Sequence, residues 1–172
     1  GNQTIANILK NEGTEYLFCF PANTLIDACA SEGIRPIIAR TERTLINMAD
    51  GYSRVTNGDR IGVCTVQDGP GIENAFAGVA QAYADSSPIL LLPGQATTDR
   101  WGIRPEFNVE RHYDGVTKWV IRANHSDGLP ALMRRAFTRL RSGRPSPIMV
   151  GVPTDVALGE LSADGYEYSM SR

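Results

Sequence analysis

The stretch RTERTLINMADGYSR, Arg40 to Arg54, sets a carboxylate, Glu42, where an apolar strand-like run ends and a helical rhythm begins. A glutamate there has two readings. Acids are favoured in the first turn of a helix by the macrodipole and then need no partner. A carboxyl group at the mouth of a strand that faces a ligand is instead placed to exchange a proton with it. A second polar group lies in QDGPGIEN, residues 67–74, a Gly-rich turn opening a helix. Such a turn offers backbone N–H groups and a positive dipole end to an anion. This one has neither GxGxxG nor a GKS or GKT ending, and Asp68 would repel phosphate, which argues against a P-loop. What remains is a close-approach turn: Pro70 favours the helix start, and Asn74, about one turn in, can hydrogen-bond a flat polar ligand.

The other reactive residue types offer less. Cys19, Cys29 and Cys64 are odd in number, lack any CxxC or Cys/His cluster and sit in apolar runs, so they read as buried small hydrophobes in a reducing compartment. His112 and His125 are the only histidines. Each reads as a surface or capping residue, and His112 alone carries a general-base alternative, from its place in a long loop.

Two alternating periods must position these groups. Ile5, Ile8 and Leu9 suit one face of a first helix, EYLFCF is a short strand covered on both sides, TLIDACAS is a short helix with Thr24 as candidate cap, and IRPIIA is the next strand. From Glu42 the stripe Leu45, Met48, Ala49, Tyr52, Val55 predicts a helix buried along one side and ending near Asn57-Gly58. RIGVCTVQ then reads as a strand, GIENAFAGVAQAYA as a close-packed helix of small residues, and PILLLPG as another strand. After a long Gly/Pro-rich, charged stretch between Gly94 and Val116 come a strand in VTKWVIRA, an amphipathic helix in GLPALMRRAFTRLRSG and a last strand in SPIMVGVP. Leu129, Leu132, Met133, Ala136, Phe137 and Leu140 form the apolar stripe of that helix, leaving its arginines as a solvated face.

Repeated strand–helix units predict a three-layer α/β/α domain with a mostly parallel central sheet, and such sheets bind ligands at the carboxyl ends of their strands. FPAN, RTE and QDGPGIEN should therefore meet at one edge. A loop as long as 94–116 in a compact domain is more often functional than idle. Residues from Ala157 onward lack periodicity and read as a linker.

The chain has 172 residues, enough for one domain with a real core and no staples. A net charge of -2 demands no nucleic-acid or membrane-surface partner. The longest apolar run, PILLLP, is far too short to cross a bilayer, and with no visible signal peptide the expectation is a cytoplasmic protein.

Taken in order, RTE, MADGYSR, DGPG with Asn74 beyond it, AYADSSPILLLPGQ, VTKW and GRPSPIMVGVPTDV resemble, over residues 4–160, the pyrimidine-binding domain of thiamine diphosphate enzymes, the acetolactate synthase-like group in particular. The resemblance implies a domain over 1–160, a linker over 161–172 towards a middle domain, and a reaction at a 2-oxo acid carbonyl, either carboligation after decarboxylation or decarboxylation alone. It also implies that Glu42 aligns with the family glutamate that hydrogen-bonds the aminopyrimidine and promotes its imino tautomer. Burial raises a carboxyl pKa by up to about 3 to 5 units, which suits a group that must share a proton near neutrality. Pro21 matches the proline of a Gly-x-Pro-Gly turn, and Ala22 replaces a glycine near the reacting centre. Gly69, Pro70 and Asn74 match the turn that packs on the pyrimidine, and Gln95 matches a recurrent glutamine. Magnesium anchors the diphosphate in this family through a Gly-Asp-Gly...Asn motif of another domain. No such motif occurs here, so no metal ligand is assigned, and the chain is expected to be inactive alone. The implied partner is the diphosphate-binding domain of another subunit in a homodimer or homotetramer.

Departures leave the substrate open. Thr41 stands where the family has histidine and Asp68 where it has serine or threonine. The loop GIRPEFNVERHYDGVTKW is shorter than in acetolactate synthases, without a secure counterpart to their Phe-Gln-Glu. Asn108 either replaces that glutamine or is a solvated loop residue. A non-catalytic interaction domain that kept the fold is the remaining alternative.

Overall fold

The apolar run of EYLFCF forms β1 (Tyr16–Cys19), and the later runs form β2 (Arg35–Ile38), β3 (Gly62–Thr65), β4 (Ile89–Leu91), β5 (Gly94–Gln95), β6 (Trp119–Arg122) and β7 (Ile148–Pro153). Between them lie α1 (Asn2–Asn11), α2 (Leu25–Ser31), α3 (Glu42–Val55), α4 (Pro70–Ala84), α5 (Val109–Tyr113), α6 (Leu129–Arg141) and α7 (Thr154–Leu158). A computed structural model describes residues 1–21, 23–162 and 168–170. Ala22 and most of the linker expected over 161–172 lie outside the described residues.

All ladders are parallel, in the order β2-β1-β3-β4-β7, with β6 on the far side of β7. β5 pairs with β7 in the same register offset as β4, so β4 and β5 are one strand interrupted at Pro93. The sheet is covered on both faces, as a parallel sheet requires. Side chains alternate strictly between the two cores. Leu17, Val63, Leu90, Ile148 and Val150 point to the layer of α1, α2 and α6. Phe18, Cys64, Leu91 and Met149 point to the layer of α3, α4 and α5. The cysteines are free and buried, and burial raises the pKa of all three thiols, which makes poor nucleophiles of them.

β1 lies between β2 and β3, so the chain leaves β1 to one side and returns past it to the other. The connections after β1 and β3 therefore part at the carboxyl edge, the place where open α/β sheets accept ligands.

The face of α3 differs from the apolar stripe in the sequence. Leu45 and Ala49 are buried as expected, but Met48 and Val55 are 36% and 82% exposed. Their places on the buried face are taken by Ile46, Asp50 and Ser53. Ser53 is fully buried because it joins α3 to the sheet. Its Oγ donates to the Pro88 carbonyl at 2.6 Å and accepts from Gly62 N–H at 2.8 Å. Gly62 is needed at this contact, since a Cβ there would lie 2.2 Å from the Ala49 carbonyl oxygen. Gly62→Ala must push α3 off the sheet, and overpacking of this kind costs about 1–3 kcal/mol. The expected result is a denaturation midpoint lowered accordingly in the full-length protein; an unchanged midpoint would contradict the close approach.

Thr24 does not cap α2. Its helical φ of -65° and ψ of -16° turn its hydroxyl from the helix N–H groups. That Oγ1 accepts instead from Asn2 at 2.7 Å, and Asn23 Oδ1 accepts from Leu25 N–H at 2.9 Å in its place. Beyond α7, Tyr168 packs partly buried against the α1 and α6 layer, with its hydroxyl on Glu12.

Candidate functional site

Thr41 is extended (φ -143°, ψ 153°), and its hydroxyl accepts from Thr44 N–H at 3.2 Å. It is therefore the N-cap of α3, which makes Glu42 the first helical residue, where the macrodipole favours an acid. Glu42 is not a solvated first-turn acid, however. It is 6% exposed. Its Oε2 accepts from Asn74 Nδ2 at 3.3 Å, and Oε1 makes no hydrogen bond among the described residues. A Cβ on Gly71 would sit 3.6 Å from that Oε1 and 2.7 Å from Gln67 Cγ, so the first turn of α4 presses closely on the carboxylate.

Two features hold α4 there. Gly78 lets the helices approach until a Cβ would be 2.9 Å from Ile46. From the loop side, the buried Tyr113 donates its hydroxyl to the Ile72 carbonyl. The turn before α4 needs glycine: Gly69 has φ +61° and ψ -111°, and nothing lies within 4 Å of the place its Cβ would take. Pro70 is exposed at the first helical position.

The turn after β1 reaches the same edge. Pro21 is exposed on it. The contact across to β3 comes from Asn23, whose Nδ2 donates to Thr65 Oγ1 at 2.9 Å. A Cβ on Gly94 would be 3.4 Å from that same Nδ2 and 3.8 Å from the Asp68 backbone nitrogen. The turns after β1 and β3 and the break before β5 thus enclose a cavity of about 350 Å³, with Asn23, Gln67, Asp68, Gln95 and Thr154 among its lining residues.

Gln95 is 2% exposed and donates from Nε2 to Asp68 Oδ1 at 3.3 Å, while its Oε1 has no hydrogen-bond partner among the described residues. Burial raises the Asp68 pKa above the usual carboxylate value, and hydrogen bonds from the Gly69 and Ala96 N–H groups act in the opposite sense.

The loop from Gly94 to Val116 is ordered by a pair the sequence reading did not single out. Arg122, at the end of β6, donates from Nη1 to Glu106 Oε1 at 2.8 Å with both side chains buried, and from Nη2 to the Ala96 and Thr97 carbonyls. Asn108 is spent on a cap: its Oδ1 accepts from Arg111 N–H at 2.8 Å at the start of α5. His112 stacks on Phe107 with Nδ1 at the Asn108 carbonyl, and His125 Nδ1 accepts from Gly128 N–H. Both histidines have structural partners. Among the described residues no group of three or more His, Cys, Asp or Glu could hold a metal, and no helix is long and apolar enough to cross a membrane.

Of the residues expected from the sequence, Glu42 and Asn74 meet directly, Gly69 makes the turn that starts the Asn74 helix, and Gln95 lines the adjoining cavity. Pro21 and Pro70 shape turns, and Ala22 lies outside the described residues. Asn23, Gln67, Gly71 and Tyr113 join the site without having been singled out.

A buried carboxylate opening a helix beside a glycine turn, at the carboxyl edge of a parallel sheet, marks an α/β domain of the kind that binds ligands at that edge. Over residues 1–117 the sequence matches the family described as thiamine pyrophosphate enzyme, N-terminal TPP binding domain. The acetolactate synthase large subunit of Haemophilus influenzae is 31% identical over 163 residues, 90% of this chain and 28% of the relative. A probable acetolactate synthase large subunit of Methanocaldococcus jannaschii is 32% identical, over 96% of this chain and 29% of the relative. A probable 2-ketoarginine decarboxylase of Pseudomonas aeruginosa is also 32% identical, over 94% and 30%. The chain belongs to the thiamine pyrophosphate enzyme family, as an N-terminal cofactor-binding domain of the acetolactate synthase-like group. It spans less than a third of the length of these relatives.

Proposed function

We propose that the intact protein uses thiamine diphosphate to act on 2-oxo acids by acetolactate synthase-like carboligation after decarboxylation. In this reading residues 1–160 are the pyrimidine-binding domain, and 161–172 lead on to the rest of the polypeptide. The observation that carries it is Glu42, a carboxylate taken out of water at the carboxyl edge of a parallel sheet with Oε1 uncommitted.

The residues present fit an aminopyrimidine. Glu42 supplies an oxygen for a ring nitrogen, Asn74 fixes the other oxygen, and Gly69 leaves open space where a side chain would stand. Thiamine diphosphate held against Glu42, Asn74 and Gly69 would supply a carbon nucleophile for the 2-oxo carbonyl and an electron sink for decarboxylation. Glu42 holds and returns a proton at Oε1, the oxygen left free of Asn74. Gly71, Gly78 and Tyr113 keep the turn against the carboxylate.

Magnesium and the diphosphate belong to a diphosphate-binding domain supplied by another subunit, so the working unit is a homodimer or homotetramer. The free buried thiols suit the cytoplasm as its location. Simple decarboxylation is a second reading. It is favoured by the relative named as a probable 2-ketoarginine decarboxylase, equal in identity to the synthase-like relatives, and by the use of Asn108 as a helix cap.

The test is to incubate the full-length protein with thiamine diphosphate, magnesium and a panel of 2-oxo acids, following carbon dioxide and condensed products separately. Carbon dioxide with a 2-hydroxy-3-oxo acid product is the expected result. Carbon dioxide with free aldehyde alone selects the second reading, and an absence of cofactor-dependent turnover removes both.

A further inference from the structure

Asp68 is the only charged side chain among the described residues lining the cavity between the turns after β1 and β3 and the break before β5. Its hydrogen-bond donors are all neutral: the Gln95 amide and the Gly69 and Ala96 N–H groups. Arg122 does not neutralise it, because that guanidinium is committed to Glu106 and two loop carbonyls.

Gln95 holds Asp68, with its own Oε1 buried against Gly151. Turning its amide to satisfy Oε1 would aim that oxygen at the Asp68 carboxylate, so Nε2 stays on Asp68 and Oε1 stays without a donor. The rest of the wall is amide, hydroxyl and aliphatic, from residues such as Asn23, Thr154, Leu92 and Val152. The cavity therefore carries one negative charge that no cation on its wall offsets. Its volume of about 350 Å³ is within the range of small-molecule sites, about 300–1,000 Å³.

We propose that this cavity receives the side chain of the 2-oxo acid and that Asp68 makes the enzyme select a side chain ending in a cation over one ending in a carboxylate. The inference rests on the reading of the protein as a 2-oxo acid enzyme and specifies its substrate class. A carboxylate entering here meets a like charge with no cation to offset it. A cation gains a charge-assisted hydrogen bond that no neutral group on the wall can supply.

The test uses the full-length protein and three probes: 5-guanidino-2-oxopentanoate, 2-oxohexanoate and 2-oxoglutarate. The wild type is expected to show its highest kcat/KM with the cationic probe and its lowest with 2-oxoglutarate. In Asp68→Asn, which keeps an acceptor for the Gly69 and Ala96 N–H groups, the ratio of kcat/KM for the cationic probe to that for 2-oxohexanoate should fall about 10- to 100-fold, the worth of a hydrogen bond to a charged group. Asp68→Ser should lower it similarly. An unaltered ratio in both variants, or a wild type that prefers 2-oxoglutarate, overturns the proposal while leaving the enzyme reading intact. If none of these three probes is turned over, calorimetric titration of the same probes decides the selectivity, and the enzyme reading is left to the wider panel. Tighter binding of the cationic probe, weakened in Asp68→Asn, supports it; equal binding overturns it.

Discussion

Glu42→Gln in the intact protein is expected to lower thiamine diphosphate-dependent turnover about 100- to 10,000-fold, the usual contribution of a positioned acid–base group, with fold and assembly unchanged. The substitution replaces one oxygen by an amide nitrogen and keeps the shape of the side chain. The remaining oxygen can still accept from Asn74 Nδ2, so the contact between α3 and α4 survives. The first-turn charge is lost, which costs about 0.3–1 kcal/mol of helix stabilisation, too little to unfold a domain with two full core layers. What cannot survive is proton exchange, because an amide neither gives up nor takes a proton near neutral pH. The measurements are kcat with the best 2-oxo acid, the thermal midpoint and the sedimentation coefficient. Turnover within about threefold of wild type, with an unchanged midpoint, would show that Glu42 is a structural acid.

The position of Glu42 was legible in an acid where a strand-like run gives way to a helical period, but that local signal left two readings open, and only the ordered set of motifs resembling the thiamine diphosphate enzymes chose between them. The strands were legible for a related reason. A parallel sheet covered on both faces needs apolar side chains at successive positions, so FCF, VC and ILLL read as continuous runs, although they divide between two cores. The face of α3 was misread because Asp50 and Ser53 are buried by their hydrogen bonds rather than by hydrophobicity. Ser53 joins Pro88 and Gly62, and Asp50 accepts from Arg54. An apolar period cannot register either. The cap of α2 shows the same limit at shorter range, since Asn23 and Thr24 are both good capping types and only the backbone angles choose between them. Gly71 and Tyr113 could not be found locally at all, because each matters through a partner far away in the chain, Glu42 and Ile72 respectively.

The Arg122–Glu106 pair is the extreme case of such a partner. Replacing either residue alone is expected to destabilise the domain by about 3–5 kcal/mol, the cost of leaving one charge of a buried pair uncompensated. Arg122 and Glu106 side chains are 2% and 5% exposed, so water cannot take over from the lost partner. In Glu106→Gln the guanidinium stays buried over the Trp101 ring, 4.3 Å away, without its paired carboxylate. In Arg122→Met, Glu106 keeps only the Gly102 N–H, at 2.7 Å, and the Ala96 and Thr97 carbonyls lose their donor. Arg122→Lys should rescue little, since one ammonium cannot reproduce a fork that reaches a carboxylate through one nitrogen and two carbonyls through the other. The double variant Arg122→Met/Glu106→Gln should lose less than the two single losses added together, because it leaves no buried charge behind. Denaturation midpoints of the four variants in the full-length protein measure this directly. Single losses under about 1 kcal/mol would mean the pair is solvated in solution. The consequence reaches the site because Ala96, held through its carbonyl by Arg122, also gives its N–H to Asp68. A loop released from Arg122 takes one wall of the cavity with it, and the destabilised single variants should therefore also lose selectivity among 2-oxo acids even at temperatures where they remain folded.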